Sequence, residues 1–182
     1  MVTLETDRLL LRPLREDDLD QYAAMVGDAE VMRHIGTGQP LARIDAWRQM
    51  AMLLGHWQLR GYGLFAVEER RLGLLVGRVG LFNPEGWPGL EVGWLTARPC
   101  WGRGYATEAA QAVLRWAFLD LKHPHLISLI RPANAASIRV AEKLGERLQG
   151  RTVLQGNEVL VYGLGRDDWL GSGGSSAGQE AN

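Results

Sequence analysis

The stretch LEVGWLTARPCWGRGYATEAA, Leu90 to Ala110, decides how the chain is read. Its first six residues are apolar and short enough for a buried strand, with one carboxylate, Glu91, among them. Arg98-Pro99 ends the strand, because proline has no N–H and drives the residue before it away from the helical region. Gly102 and Gly104 then allow a tight turn that exposes backbone N–H groups. From Thr107 the residues Ala109, Ala110, Val113, Leu114, Ala117 and Phe118 recur at threes and fours, which predicts a helix ending near Leu121. Thr107 is placed as its N-cap, and Glu108 falls in the first turn, where the helix dipole favours an acid.

A loop that delivers free N–H groups into a helix N-terminus is an anion site, usually for phosphate. No Gly-Lys-Ser/Thr follows, so this is not a Walker loop. The third glycine of a dinucleotide fingerprint is missing, and no acidic residue closes a following strand. The string Pro-x-Trp-Gly-x-Gly-Tyr-Ala-Thr-Glu-Ala, Pro99 to Ala109, resembles the pyrophosphate loop of the GNAT superfamily of acyl-CoA-dependent N-acyltransferases. That family's Arg/Gln-x-x-Gly-x-Gly/Ala pattern falls on Trp101, Gly102, Arg103, Gly104, Tyr105 and Ala106. Trp101 departs from Arg/Gln, but tryptophan is common there in the branch that includes ribosomal-protein N-terminal acetyltransferases.

The resemblance implies a donor, acetyl-CoA, and an amine acceptor. Residues Gly102 to Thr107 would bind the pyrophosphate through backbone N–H groups, with Arg103 adding charge. The strand before the loop would be bulged at Gly93, and its splayed edge would pair with the pantetheine arm. A backbone N–H near Trp94 would polarise the thioester oxygen, with Leu95 and Thr96 along the arm. Glu91 would be the general base. From the residues alone, the loop can also be a plain strand-to-helix turn, Gly93 a close-packing position, and Glu91 the partner of a structural arginine.

A second segment, Asn134-Ala135-Ala136-Ser137 before Val140-Ala141-Glu142-Lys143-Leu144-Gly145, resembles the family's Asn-x-x-Ser/Ala segment and Glu-Lys-Leu-Gly turn. There the asparagine bonds the pantetheine arm or an ordered water. Many members carry a tyrosine just before the Glu-Lys pair as the acid for the leaving thiolate. Ala141 stands at that place, and Ser137 is the nearest substitute. Both Asn134 and Ser137 also read as helix caps. A non-catalytic acyl-CoA-binding module is the alternative to an enzyme.

Composition narrows the classes. A chain of 182 residues can bury a core as a single domain. Net charge is −1, which favours neither nucleic acid nor anionic membrane. No apolar run approaches the ~20 residues of a membrane helix, and MVTLETDRLLLRPL lacks the layout of a signal peptide. A cytoplasmic protein is therefore expected. Cys100 is the sole cysteine and the histidines His34, His56, His123 and His125 show no ligand spacing, so no metal site is expected. The acidic residues are scattered and single out no acceptor among protein N-termini, polyamines, amino acids and antibiotic amines. Dimerisation is common in the resembled branch, which leaves a homodimer open.

Read in order, the chain gives a strand over Leu9–Pro13, helices over Arg15–Val26 and Leu41–Leu59, and strands over Leu64–Glu68 and Leu72–Phe82. The central strand, loop and helix follow. Then come a strand over Leu126–Ile130, a helix over Ala135–Leu144, and a hairpin turning at Gln155-Gly156-Asn157. Ile44, Trp47, Met50, Ala51, Leu54 and Trp57 form the expected apolar stripe of the second helix. Val31 to Pro40 reads as irregular. The fold class is mixed α/β (α+β), of GNAT type: a mainly antiparallel central sheet flanked by helices. The resemblance implies one acetyltransferase domain over residues 1–170, and 171–182, GSGGSSAGQEAN, reads as a flexible polar tail.

Overall fold

A computed structural model describes residues 2–173. Its strands are β1 (Leu4–Glu5), β2 (Leu9–Arg12), β3 (Leu64–Glu69), β4 (Leu74–Phe82), β5 (Glu91–Thr96), β6 (His125–Ile130), β7 (Arg147–Leu154) and β8 (Asn157–Gly165). They form one eight-stranded sheet in the order β1-β2-β3-β4-β5-β6-β8-β7. Every neighbouring pair is antiparallel except β5 and β6. The helices are α1 (Leu19–Val26), α2 (Ala29–Met32), α3 (Arg43–Arg60), α4 (Tyr105–Arg115), α5 (Ala135–Lys143) and α6 (Arg166–Gly171).

The parallel pair is the exception that shapes the molecule. β5 and β6 share one register pair, Glu91 with Ile127, and then part. Strand β5 is held on its other side by β4 in unbroken register from Glu91 opposite Phe82 to Thr96 opposite Gly77. The bulge expected at Gly93 is therefore absent. The sheet's irregularity on this side lies between β3 and β4, where the register shifts at Val67/Glu68. The gap beside β5 comes from divergence of β6, not from a kink in β5.

Alternation along the strands sends apolar side chains to both faces, as in a sheet covered on both sides. On one face, α4 packs Ala109, Ala110, Val113 and Leu114 against Leu9, Phe65, Val79 and Val92. On the other, Tyr22, Met25 and Val26 of α1 and Ala46, Met50 and Leu53 of α3 cover Leu64, Ala66, Leu75 and Leu95. The stripe of α3 is rotated from the expected one: Ile44 and Trp47 are exposed, and Ala46, Met50, Leu53 and Trp57 are buried. Trp57 fixes that phase. Its indole donates to the Leu64 carbonyl at 3.0 Å and packs on Phe65 and Trp116. His56 beside it accepts from the Asn83 N–H through Nε2 (3.1 Å), so Nδ1 donates to the Tyr62 carbonyl at 3.0 Å. This histidine ties α3 to the end of β4.

Several elements differ from the sequence reading. The two-residue β1 and the short helices α2 and α6 are additional. Helix α4 starts at Tyr105, with Gly104 as N-cap at φ +80°, so Thr107 lies inside the first turn and is not the cap. A wider π turn, Trp116–Asp120, continues it toward Leu121. Gly171 closes α6, and residues 174–182 of the expected tail lie outside the described residues. The hairpin turn falls where expected, with Gln155 and Gly156 both at positive φ. No helix among the described residues is long and apolar enough to cross a membrane.

The start of α1 is pinned by a buried ion cluster. Arg12 donates to both oxygens of Asp18 at 2.7 and 2.8 Å and to Glu68 at 2.7 Å. Burial raises the Asp18 carboxyl, but the hydrogen bonds from Arg12 and the Arg15 amide outweigh it and hold it below its ordinary value. Removing one member leaves a buried charge unpaired, at a cost of about 3–5 kcal/mol. Asp18→Ala is expected to lower urea stability by about that amount, whereas Asp20→Ala, which breaks an exposed pair with Arg43, should cost at most about 1 kcal/mol. Equal losses in the two variants would refute the structural role of the cluster.

Candidate active site

The parting of β5 from β6 leaves backbone groups that a continuous ladder would have satisfied. The Leu90 carbonyl still accepts from the Ile127 N–H at 2.9 Å. Past the Glu91–Ile127 pair the ladder ends, and the Val92 carbonyl is met by the Ser128 hydroxyl at 2.8 Å. Alternation then turns the N–H and C=O of Trp94 toward the gap. At the far end the Thr96 carbonyl accepts from the Trp101 indole at 2.9 Å. Trp101, at the position where the family pattern has Arg or Gln, thus closes the end of the gap. Of the residues expected along the arm, Thr96 keeps no free carbonyl, and Leu95 turns its side chain into the core.

Beyond Trp101 lies the glycine loop. Gly102 and Gly104 adopt φ of +74° and +80°, which glycine tolerates without strain. The first bond of α4 runs from Glu108 N–H to Gly104 C=O at 3.0 Å, and no N–H of residues 102–107 donates to an acceptor among the described residues. These amides, on Gly102, Arg103, Gly104, Tyr105, Ala106 and Thr107, form a cradle suited to a phosphate. The loop is anchored from the other end of the chain. Arg8 donates to Glu108 (Nε to Oε2, 2.6 Å) and to the Arg103 carbonyl (2.9 Å), and its guanidinium lies 4.7 Å from the centre of the Tyr105 ring. Thr6 donates to Glu108 at 2.6 Å. Sequence reasoning gave Glu108 only to the helix dipole; the anchoring by Thr6 and Arg8, a hundred residues away, has no local signal.

Across the gap, Asn134 caps α5 by accepting from the Ser137 N–H at 3.2 Å. Ser137 Oγ accepts from Trp94 Nε1 at 3.3 Å. Indole only donates, so the serine keeps its own proton for another acceptor. Ala141 is fully buried with Ile130, Leu160 and Tyr162, and it presents no acid to the gap. Glu91, Trp94, Asn134 and Ser137 meet around a small cleft whose lining includes the buried Ser128. The loop 102–107 lies apart from them, past the C-terminal end of β5.

Glu91 stands where the two strands part. Trp87 Nε1 donates to its Oε2 at 2.7 Å. Burial pushes the carboxyl up to about 7, against the opposing influence of Trp87, the Leu129 backbone and the Arg78 charge. Gly93 beside it leaves room: a Cβ there would come within 3.5 Å of the Glu91 carboxylate. Glu91, Gly93, Trp94 and Leu95 open onto a cavity of about 590 Å³ on the α1/α3 face. Its walls come from the loop after α2, from α3, and from the tip of the β7–β8 hairpin.

Two carboxyls, not one, stand at this junction. Glu146 is 3% exposed, and its Oε1 lies 3.0 Å from Ser128 Oγ. Serine owns one hydroxyl proton for two possible acceptors, and the shorter contact assigns it to Val92. The Glu146 contact becomes a hydrogen bond only when the carboxyl carries the proton. Its Oε2 is buried with no partner, which also favours the neutral form. Burial, opposed by the Ser128 contact and reinforced by the Glu91 charge, pushes Glu146 up to about 8. The sequence hides this residue, because an acid just after a helix-stopping glycine reads as surface.

The chain belongs to the GNAT acetyltransferase family: the family model for the acetyltransferase (GNAT) domain matches residues 8–147. Members are acyl-CoA-dependent N-acyltransferases, and the chain is an enzyme of that class. A protein of Bacillus subtilis (strain 168) named YkkB is 34% identical over 87% of this chain and 93% of its own length. The crystal structure of an acetyltransferase from Agrobacterium tumefaciens str. C58 superposes with a TM-score of 0.80 at 33% identity, covering 90% of this chain and 94% of that one. RimL, a ribosomal alpha-N-protein acetyltransferase solved with coenzyme A, shares the fold with a TM-score of 0.77 at 16% identity over 92% and 99%.

The raised Glu146 makes a testable demand on stability. Folding holds a proton that the unfolded chain releases above about 4.5, so stability is greatest at low pH and falls as pH rises toward about 8. Each such proton contributes a slope of about 1.4 kcal/mol per pH unit. Glu91 acts in the same direction up to about 7. Glu146→Gln, whose amide can donate to Ser128, should therefore gain stability relative to the native protein between pH 5 and pH 8. A stability difference between the two that is constant with pH, measured by urea unfolding, would show that Glu146 is ionised throughout.

Proposed function

We propose that the protein transfers the acetyl group of acetyl-CoA to a primary amine by direct attack, with Glu91 as the base. The observation that carries this reading is the position of Glu91: a carboxyl with a pKa of about 7, at the point where β5 and β6 separate, facing a cavity large enough for an acceptor. A base poised near the working pH is the most effective at removing a proton during attack.

The donor would bind along the gap. Amides of residues 102–107 would hold the pyrophosphate, with the Arg103 side chain adding charge. The free peptide edge at Trp94 would pair with the pantetheine arm, and the Trp94 N–H would donate to the thioester oxygen as negative charge develops there. Asn134 would use its side-chain N–H groups, left over from capping, toward the same arm. The acceptor amine would reach the thioester carbon from the 590 Å³ cavity and lose a proton to Glu91, directly or through water. As the carbon–sulfur bond breaks, the Ser137 hydroxyl would donate to the departing sulfur, and the products would be the amide and coenzyme A. Hydrogen bonds to charged groups of this kind contribute about 1.5–3 kcal/mol each.

The test is the pH dependence of turnover. Because Glu91 must be ionised to accept the proton, kcat/KM should rise with pH through about 7 and level off above it. Glu91→Gln should lower kcat/KM by about 10²–10⁴ and abolish that limb, while stabilisation by acetyl-CoA in a thermal melt stays as in the native protein. Full activity in Glu91→Gln at saturating acceptor would remove Glu91 as the base.

A further inference from the structure

The acceptor cavity contains a cation whose charge acts on Glu91 and Tyr22 only through space. Arg78 sits on β4 opposite Leu95, and it lines the cavity with Glu91. Among the described residues its side chain makes no hydrogen bond and no ion pair, and its Nε is buried without a partner. The other cation of the lining, Arg131, is engaged: it donates to the Gly36 carbonyl at 2.6 Å and to the Arg33 carbonyl at 3.3 Å, holding the loop after α2. Gln49 accepts from the Tyr22 hydroxyl at 2.6 Å. Burial and the charges of Arg33 and Arg131 lower the pKa of the His34 imidazole, against the opposing charge of Glu30. Glu85, on the rim, is fully exposed and lies 3.9 Å from Arg60. A guanidinium always carries its charge and has five N–H donors. Leaving the buried Nε donor unmet costs free energy, and native proteins leave few such groups.

The register explains how the cavity separates its two charges. Arg78–Leu95, Gly80–Gly93 and Phe82–Glu91 are successive opposed pairs, so all six residues share one face. The middle pair carries no side chains. Arg78 and Glu91 therefore stand at the two ends of a floor about 13 Å long at the backbone, shortened by the reach of both side chains.

We infer that Arg78 is the anchor for an anionic group of the acceptor, and that the acceptor is a small amino acid whose amine lies at Glu91 and whose carboxylate lies at Arg78. This rests on the reading of Glu91 as base and deepens it. A planar carboxylate matches the guanidinium fork in a bidentate manner. The same charge repels a second ammonium, which sets polyamines and polycationic amines aside.

The experiment uses the native protein with acetyl-CoA and matched acid and amide acceptors: glycine and glycinamide, β-alanine and its amide, 4-aminobutyrate and its amide, 6-aminohexanoate and its amide. Initial rates of coenzyme A release and thermal melts in the presence of coenzyme A are both recorded. At least one acid should exceed its amide tenfold or more in kcat/KM. Arg78→Met should erase that preference mainly by raising KM, and Arg78→Lys should restore part of it. Acid and amide within threefold in every pair overturn the anchor, and so does an Arg78→Met that slows both members of a pair equally. If Arg78→Met does not fold, the acid-to-amide ratio of the native protein decides alone. Transfer to amides without acid preference keeps the transferase reading and sinks the anchor. Acid-selective stabilisation without transfer does the reverse, and neither signal refutes both.

Discussion

The structure depends on one constraint: two neighbouring parallel strands are joined at a single register pair and then separate. A peptide edge in the middle of a sheet must find partners, because buried N–H and C=O groups left unpaired are costly. Each group along this edge is answered differently. Leu90 keeps its ladder bond, Val92 is met by the Ser128 hydroxyl, and Thr96 by the Trp101 indole. Trp94 is left facing the gap between them. The site is thus a defect in the sheet, closed at both ends and left open in the middle.

The side chains that close the defect also set its electrostatics. Ser128 serves Val92 by giving it the one hydroxyl proton, an arrangement that a neutral Glu146 favours by not competing for it. A neutral Glu146 does not repel an ionised Glu91, so one carboxyl remains available for proton transfer while the other stays silent below about pH 8. Environments that keep two nearby carboxyls in different charge states are a recurring way to assign separate roles to them. Trp87 and the Leu129 backbone hold the Glu91 carboxylate against the full effect of burial. On the opposite side, Trp94 links the gap to Ser137 and α5.

Much of the fold is legible in the sequence, because it is written in local periodicity. The central strand, the glycine loop, α4, α5 and the closing hairpin fall within a few residues of their expected places. Three expectations fail for physical reasons that only the assembled sheet reveals. Thr107 is not the cap, because the left-handed Gly104 already starts the helix. Gly93 is not a bulge, because β6 diverges and β5 need not kink. Ile44 and Trp47 do not face the core, because Trp57 sets the rotation of α3. Of the site, Glu91 stands out as a lone acid in an apolar strand. Glu146, Ser128, Arg78 and the Thr6–Arg8–Glu108 anchor do not, since their meaning lies in contacts between distant segments.

The central claim is that the open peptide edge at Trp94 is where the donor binds. Amide hydrogen exchange read by NMR, with and without saturating acetyl-CoA and with no acceptor present, tests it directly. The Trp94 amide should slow at least tenfold on binding. The Val92 amide, already within the β5–β6 ladder, should change little. Acetyl-CoA that raises the melting temperature yet leaves the Trp94 exchange rate unchanged would place the donor elsewhere.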